Sequence, residues 1–504
     1  LIFGLTLLER HGCYMETNFS KIKATGKLLS SKQISCEELT KQYLASIEKE
    51  NKVLNAYVKV TEEQALETAK KVDEKIMRGE SLLPLEGIPM SLKDNISTKG
   101  IETTCCSKIL QGYTPIYNAT VWDLLQNQNT VLLGKTNMDE FAMGSSSETS
   151  CFGGSFNPHN PNHVAGGSSG GAASSISGNI AVFGLGSDTG GSIRQPASFC
   201  GVVGLKPTYG TVSRYGLIAY ASSFDQIGPI TTSVEDAALV FDAIAQYDPM
   251  DSTSQGKKES AAASLNKEIK GMKIGIVKEY FEGIDEDVRT AMEKSIETYH
   301  QLGAEIVECS IPEIKYGLPV YYILACAEAS SNLGRYDGIR YGYKVPHYED
   351  INEMICKTRS EGFGAEVKHR ILLGTYVLSA GYYDAYYKKA QNLRGVIVNA
   401  FKRVFETCDV ILAPTVPMTS FERGQTQKDA VQTYQTDICT VPVNIAGLPA
   451  VSVPCGFDSK GLPIGLQLIG SHFCESTILN AAYQFEAATR ENGTFKAVEM
   501  GVAL

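Results

Sequence analysis

The chain is 504 residues long and carries 46 Lys and Arg against 56 Asp and Glu, a formal net charge of −10 at pH 7. This acidic balance argues against broad contact with nucleic acid or anionic membrane through the chain's own surface. A hydrophobic content of 43% with 20% charged residues is ordinary for globular proteins and excludes extensive disorder.

The first 80 residues predict a short extension followed by helices. Because the chain begins with leucine and its first methionine is Met15, we expect residues 1–14 to be an extension outside the fold. Ser35 to Glu38 has the form of a capping box, and apolar residues then recur at helical spacing. A second, polar helix is predicted over about residues 61–78. We therefore expect residues 15–80 to form an N-terminal helical segment packed on the core.

From residue 81 onward, strand and helix patterns alternate. Apolar runs typical of strands occur at residues 85–95, 131–133, 180–185, 200–205, 272–277, 304–307, 410–414 and 450–453. A helix predicted between the runs at 272–277 and 304–307 gives a βαβ pattern. A last helix is predicted at 476–490. Residues 313–403 read as mostly helical. The pattern predicts an α/β domain over residues 81–504 with a helical insertion at about 313–403.

Residues 144–216 are rich in glycine and serine, which is often typical of a flexible linker. Linkers do not bury apolar runs such as 180–185. The glycines are therefore expected to let the backbone approach a ligand or adopt positive φ. Residues 166–170 fit the G-x-S-x-G nucleophile elbow of α/β-hydrolases, which needs a strand immediately before it. The Asn- and Pro-rich residues 157–163 predict a turn there instead.

The glycines of the same segment also resemble a loose dinucleotide-binding fingerprint. Gly184, Gly186 and Gly190 follow an apolar run, as that motif requires. The motif should open a long helix, whereas Pro196 and Gly201 leave room only for a short one. We therefore do not expect a dinucleotide site.

The whole segment, with a lysine upstream, resembles the amidase signature family. The agreement in order and spacing lies in PMSLKDN at 89–95, AGGSSGG at 165–171 and GLGSDTGGSIRQPASFCG at 184–201. The resemblance runs from about Met15 to the C-terminus. It narrows to the glutamine-hydrolysing members of the bacterial glutamyl- and aspartyl-tRNA amidotransferases through blocks at 134–146, 213–229 and 329–342. It implies an α/β fold with a mixed central sheet covered by helices on both faces.

The resemblance implies a Ser-cis-Ser-Lys catalytic set. By motif, Ser192 is the acyl-ester nucleophile, Ser168 is the bridging serine with a cis peptide bond, and Lys93 is the base. A lysine can accept a proton only when neutral, so burial must lower its pKa. Outside this motif, the simpler interpretation of Lys93 is a surface salt bridge to Asp94.

Two further groups of residues are expected around the catalytic set. An oxyanion hole is expected from the backbone N–H groups of Thr189, Gly190, Gly191 and Ser192. Free glutamine carries an α-carboxylate and an α-ammonium, so a selective pocket needs an arginine and an acid. In the family these roles fall by motif on Arg370 and Asp437, with Tyr321 lining the pocket. The competing interpretations are an exposed helix charge for Arg370 and an N-cap for Asp437.

The implied function is hydrolysis of glutamine to supply ammonia for amidation of misacylated Glu-tRNA(Gln) or Asp-tRNA(Asn). The expected partners are the B and C subunits of a heterotrimeric amidotransferase, with the tRNA held mainly by a partner. ATP and Mg²⁺ are expected in the B subunit, and no cofactor or metal in this chain. Two alternatives are a stand-alone amidase acting on other amides and a non-catalytic assembly protein of the same complex.

The cysteine and histidine patterns bear on location and metal binding. The thirteen cysteines are scattered without a CxxC pair, which predicts reduced thiols and a cytoplasmic location. His159 and His163 lie four residues apart in an Asn- and Pro-rich stretch without an HExxH motif, so we expect no metal site. No run of apolar residues approaches the ~20 needed to span a bilayer.

Overall fold

The computed structural model describes residues 20–425 and 435–491. The extension expected at residues 1–14 lies outside the described residues. The described N-terminal elements are α1 (Lys21–Ser30), α2 (Cys36–Leu54), β1 (Tyr57–Val60) and α3 (Glu62–Met77). The N-cap half of the predicted capping box forms, because the Ser35 hydroxyl accepts a hydrogen bond from the Glu38 amide at the start of α2. The helical prediction for residues 15–80 missed β1, which joins the edge of the central sheet beside a later strand.

The remaining strands form one large sheet and one hairpin. In chain order they are β2 (Pro89–Lys93), β3 (Val131–Thr136), β4 (Phe156–Asn157), β5 (Asn160–Val164), β6 (Phe183–Asp188), β7 (Val203–Lys206), β8 (Gln226–Thr231), β9 (Lys273–Val277), β10 (Glu305–Cys309), β11 (Val410–Pro414), β12 (Ala450–Phe457) and β13 (Pro463–Gly470). The central sheet has eleven strands in the order β1-β3-β2-β6-β8-β7-β12-β13-β11-β9-β10, and β4 pairs with β5 separately. Parallel pairs at β3-β2-β6 and β11-β9-β10 flank antiparallel pairs between them, so the sheet is mixed as predicted.

The remaining helices flank the two faces of this sheet or form the helical insertion. They are α4 (Thr120–Gln126), α5 (Gly170–Ser177), α6 (Arg194–Phe199), α7 (Val234–Ile244), α8 (Glu286–Gln301), α9 (Gly317–Asn332), α10 (Ile351–Gly362), α11 (Ala365–Leu378), α12 (Lys389–Val404), α13 (Val441–Ala446) and α14 (Glu475–Glu491). Strand β11 demonstrates the two-sided burial. Val410 and Leu412 belong to one hydrophobic cluster, whereas Ile411 and Ala413 belong to another on the opposite face. The insertion predicted at 313–403 corresponds to α9–α12, between β10 and β11.

Three local predictions need correction. Strands β8 and β13 were missed, and the strand predicted at 180–185 lies at Phe183–Asp188. Residues 157–163 are not simply a turn, because β5 pairs with β4 there and ends immediately before the Gly/Ser-rich turn. A strand, β5, therefore does precede residues 166–170, as a nucleophile elbow requires. It belongs to the separate β4–β5 hairpin and not to the central sheet. No helix within residues 20–425 and 435–491 is long and apolar enough to cross a membrane.

Candidate active site

Lys93 is the last residue of β2 and is completely buried. Its Nζ donates to the hydroxyl oxygens of Ser168 and Ser169, each at 2.8 Å, and to Ser187 Oγ at 3.0 Å. Burial lowers the pKa of the amine to about 7, although the surrounding aspartates favour its charged form. An amine with this pKa is partly neutral near pH 7 and can accept a proton.

The interpretation of Lys93 as a surface ion pair with Asp94 is wrong. Successive residues of an extended chain point in opposite directions, and Asp94 faces a different buried lysine, Lys135, at 3.5 Å. Asp94 also accepts hydrogen bonds from the backbone amide and hydroxyl of Thr104. The Lys93 amine therefore lies among hydroxyl groups.

Ser168 and Ser169 follow the hairpin and lead into α5. The peptide bond between Gly167 and Ser168 is cis, as the resemblance implies. The Gly167 amide donates to the Gln195 side-chain oxygen at 2.9 Å, which fixes the peptide unit just before the cis bond. Glycine is required at 167, since a Cβ there would lie 2.0 Å from an oxygen of Asp139. The turn thus presents Ser168 to the amine from a tightly packed backbone.

Ser192 lies in the turn between β6 and α6, beside the serine pair. Its carbonyl oxygen accepts a hydrogen bond from the Ser169 amide at 3.1 Å. Ser192 retains 8% exposure, whereas Ser168 has none. Within the described part of the chain, the Ser192 hydroxyl forms no hydrogen bond. The fold therefore brings Lys93, Ser168 and Ser192 together from three separate segments, with Ser192 nearest to solvent.

The backbone between Asp188 and Ser192, called the oxyanion loop after its expected role, differs from prediction in one respect. The Gly191 amide donates to a carboxylate oxygen of Asp188 at 2.8 Å and is not available to a substrate. The Thr189, Gly190 and Ser192 amides make no hydrogen bond among the described residues, so they are the candidate donors that remain. Gly191 itself has φ +135°, and a Cβ there would lie 2.3 Å from the Thr440 hydroxyl.

A buried ionic network supports this loop. Arg194 pairs with Asp188 at 3.1 Å and also donates to the Thr440 carbonyl at 3.2 Å. Burial alone would raise the pKa of Asp188, but Arg194 and Asn444 hold it at about 2. Thr440 donates its hydroxyl to the Gly190 carbonyl at 2.7 Å. The Asp188 carboxylate therefore stays ionised. The loop is held by Asp188 through the Gly191 amide and by Thr440 through the Gly190 carbonyl.

Arg370 and Asp437, the charged residues expected to line the substrate pocket, are both buried and share Tyr322 as a neighbour. Arg370 also forms an ion pair with Glu366 at 2.8 Å. Arg370 and Asp437 are only 6% and 8% exposed, so neither is the exposed charge or simple N-cap of the competing interpretations. Tyr322 connects them: its ring lies 5.3 Å from the Arg370 guanidinium, and its hydroxyl donates to Asp437 at 3.3 Å. Ser145 donates to both Asp437 oxygens. Burial raises the pKa of Asp437 to about 7, with Ser145 and Arg370 opposing the rise.

Tyr321 occupies a different position from Tyr322. Its ring packs against Gly190 so closely that a Cβ there would lie 2.7 Å from Tyr321 Cζ. The predicted tyrosine therefore borders the oxyanion loop, while the next residue contacts both charges. The charged pocket and the serine–lysine cluster are thus neighbours.

Several site residues were missed by the sequence analysis. They are Ser145, Ser169, Ser187, Tyr220, Tyr322, Asp225 and Thr440. Ser169 stands inside the AGGSSGG block and could have been noticed there. Ser187 stands inside the 184–201 block, Ser145 inside the 134–146 block, and Tyr220 and Asp225 inside the 213–229 block. The fold decides which residues of these blocks reach the site. The part of the chain that the structure describes contains no group of three or more His, Cys, Asp or Glu residues that could hold a metal ion.

Comparison with known proteins identifies the family to which this site belongs. The amidase family profile matches residues 38–479. The chain belongs to the amidase family. It is 57% identical over 464 residues to the A subunit of the glutamyl-tRNA(Gln) amidotransferase of Caldanaerobacter subterraneus, covering 92% of this chain and 95% of that protein.

Solved structures of amidase-family proteins agree with this assignment. The A subunit of the Thermotoga maritima glutamyl-tRNA(Gln) amidotransferase is 39% identical with a TM-score of 0.76, covering 92% of this chain and 94% of that one. A second structure, described as a vestigial protein complex bearing on the origins of an s-triazine catabolic enzyme, is 30% identical with a TM-score of 0.82. That match covers 94% of this chain and 98% of the other. The amidase-family fold is thus common to all three chains.

Proposed function

We propose that this chain is the glutamine-hydrolysing component of a tRNA-dependent amidotransferase. It releases ammonia from glutamine for the conversion of Glu-tRNA(Gln), Asp-tRNA(Asn) or both to the amidated product. The observation that carries the proposal is that a buried arginine and a buried aspartate, Arg370 and Asp437, both contact Tyr322 beside a serine–lysine cluster. An amidase for uncharged amides has no use for two buried opposite charges in its pocket.

Acylation begins with attack of Ser192 Oγ on the side-chain carbonyl carbon of glutamine. The Ser192 proton passes to Ser168, whose own proton passes to neutral Lys93, so the hydroxyl becomes a competent nucleophile. The 2.8 Å contact between Lys93 and Ser168 supports this relay. Backbone amides of Thr189, Gly190 and Ser192 stabilise the oxyanion. Protonation of the leaving nitrogen through the same relay expels ammonia and leaves a glutamyl ester on Ser192.

Deacylation follows the same path in reverse order. Water attacks the ester carbonyl as Lys93 takes its proton through Ser168. The tetrahedral intermediate then collapses, Ser192 recovers a proton from the relay, and glutamate leaves. The overall reaction consumes one water and one glutamine and yields one glutamate and one ammonia. No cofactor of this chain takes part in the proposed steps.

The pocket charges account for selection of glutamine. Arg370 binds the α-carboxylate with a planar guanidinium, and Asp437 binds the α-ammonium. The Asp437 carboxyl has a pKa of about 7, so an arriving ammonium favours its ionised form. Tyr321 and Tyr322 line the pocket between these charges and the oxyanion loop. Holding both α-groups fixes the side-chain amide at Ser192.

The proposed assembly includes the B and C subunits of the amidotransferase, with the misacylated tRNA held mainly by the B subunit. Activation of the tRNA-bound carboxyl uses ATP and Mg²⁺ in that partner. The net charge of −10 supports the assignment of tRNA binding to a partner. Because the tRNA functions in protein synthesis, the proposed location is the cytoplasm.

The test compares two nitrogen sources for tRNA amidation by the assembled complex. The Ser192→Ala complex should lose glutamine-dependent amidation, by a factor on the order of 10⁶ in glutaminase kcat, yet retain amidation with added ammonium chloride. Ser295→Ala is the matched control, since this buried serine donates to the Ala291 carbonyl within α8 and is not one of the site residues.

Each rival function has its own signature in this experiment. Unchanged glutamine-dependent amidation in the Ser192→Ala complex would indicate an assembly protein without catalysis. Hydrolysis of uncharged amides by the chain alone, with no amidated tRNA in any combination, would indicate a stand-alone amidase.

A further inference from the structure

Asp225 is a buried carboxylate just before β8 that contacts the back of the oxyanion loop. It is 3% exposed, and one of its oxygens accepts the Thr189 hydroxyl at 2.6 Å. The other oxygen accepts the backbone amides of Tyr220 at 2.9 Å and Ala221 at 3.1 Å. One side chain therefore ties the oxyanion loop to the start of the 220–225 segment.

The same segment reaches the charged pocket through Tyr220. Arg370 Nη1 donates to the Tyr220 hydroxyl at 2.6 Å, and the Arg370 guanidinium lies 5.6 Å from the Tyr220 ring centre. Tyr220 is itself only 1% exposed. The backbone amide of this tyrosine is thus held by Asp225 while its hydroxyl orients Arg370. Asp225 is therefore hydrogen-bonded directly to Thr189 and is connected to Arg370 through Tyr220.

The segment is also attached to the helical insertion. The Asn332 amide nitrogen donates to the Tyr220 carbonyl at 3.2 Å. The Phe224 ring packs against Tyr321 at 5.7 Å, and Arg394 lies 4.7 Å from the Phe224 ring centre. Asp225 therefore sits where the oxyanion loop, the pocket and the insertion meet.

We propose that Asp225 is a positioning residue that keeps the oxyanion loop and the substrate-binding Arg370 in mutual alignment. The proposal rests on the proposed function, in which Arg370 binds the α-carboxylate and the loop binds the developing oxyanion. Their separation must match the length of one glutamine molecule. A rigid connection through Asp225 maintains that separation without touching the substrate.

A second buried aspartate provides the comparison for a purely structural role. Asp236, in α7, also accepts backbone amides, those of Lys21 at 3.0 Å and Ile22 at 3.2 Å. It too is fully buried. Its partners lie at the N-terminal helix and not at the site. Removal of the Asp236 carboxylate tests what the loss of a buried anchor does to folding alone.

The experiment measures kcat and KM for glutamine, together with thermal unfolding, in the assembled complex. Thr189→Val keeps the size of the side chain but removes the donor to Asp225, and should lower kcat about 10- to 100-fold with little change in KM. Tyr220→Phe removes the acceptor for Arg370 and should raise KM with little change in kcat. Asp225→Ala should both lower kcat and raise KM.

Asp225→Asn serves as the conservative rescue. Its amide oxygen can accept from the Tyr220 and Ala221 amides while its NH₂ group donates to the Thr189 hydroxyl, so every bond can be replaced. It should recover most of the kcat and KM lost in Asp225→Ala. Asp236→Ala should lower the unfolding temperature without changing either constant.

The inference fails if Thr189→Val keeps wild-type kcat, or if Asp236→Ala changes kcat and KM as Asp225→Ala does. It also fails if Asp225→Asn is as impaired as Asp225→Ala. Absence of glutamine hydrolysis in the wild-type complex is a different result, since it refutes the proposed function itself.

Discussion

The pKa of Lys93 leads to a quantitative prediction for the pH dependence of glutamine hydrolysis. With a pKa of about 7, about half of the molecules hold a neutral amine at pH 7. With the ordinary value of 10.5, about one molecule in 3,000 would do so at that pH. Because the base must be neutral, kcat should rise with pH through about 7 and level off above about pH 8.

The direction of this effect follows from the cause of the shift. Burial penalises the ammonium form, so the folded state releases the Lys93 proton at a lower pH than the unfolded chain does. Activity is therefore lost on acidification through pH 7. Between pH 7 and 10.5 the unfolded chain keeps the Lys93 proton while the folded protein has released it. The free energy of unfolding therefore increases with pH over this range, and the folded state becomes more stable.

The assay follows ammonia release at saturating and at limiting glutamine between pH 5.5 and 9. At saturation, kcat should show one deprotonation. At limiting glutamine, kcat/KM should fall more steeply below pH 7, because Asp437 in the free enzyme also has a pKa of about 7 and must be ionised. In the Asp437→Asn variant, kcat/KM should fall below pH 7 no more steeply than kcat does. Samples returned from pH 5.5 to pH 8 must regain activity, which excludes unfolding as the cause.

A flat profile between pH 6 and 9, or an inflection near pH 10, would refute the reasoning. Either result would mean that the amine is not the group whose deprotonation activates Ser192.

The other predictions concern the pocket, the oxyanion loop and the serines around the amine. Arg370→Gln or Asp437→Asn should raise KM for glutamine at least about 30-fold, since each leaves a substrate charge unpaired, while hydrolysis of propionamide should stay within a factor of two. Gly191→Ala should reduce both unfolding temperature and kcat, because its Cβ would lie 2.3 Å from the Thr440 hydroxyl at φ +135°; wild-type values for both would contradict that contact. Ser169→Ala removes an acceptor of the ammonium form, so the acid limb of kcat should move to lower pH in a pH–rate series, and a move to higher pH would show that the hydroxyl stabilises the neutral amine instead.

The sequence alone determined much of the local structure of this protein. The N-cap at Ser35, the βαβ unit of β9 and β10 and a strand within residues 85–95 follow from residue patterns within a short window. The family resemblance rests on contiguous blocks, which the sequence displays directly. The mixed sheet with helices on both faces was therefore predictable. Strands β1, β4, β5, β8 and β13 were missed because short or Pro- and Asn-containing strands lack a strong alternation.

The tertiary structure decided everything that depends on which distant residues meet. Asp94 follows Lys93 in the chain, yet it faces Lys135 while the amine faces three serines. The Gly191 amide turns to Asp188, so the oxyanion donors differ from those the motif suggested. Burial, hydrogen bonding and charge set a pKa, and all three arise from neighbours brought in by the fold. A local sequence pattern carries no information on those neighbours.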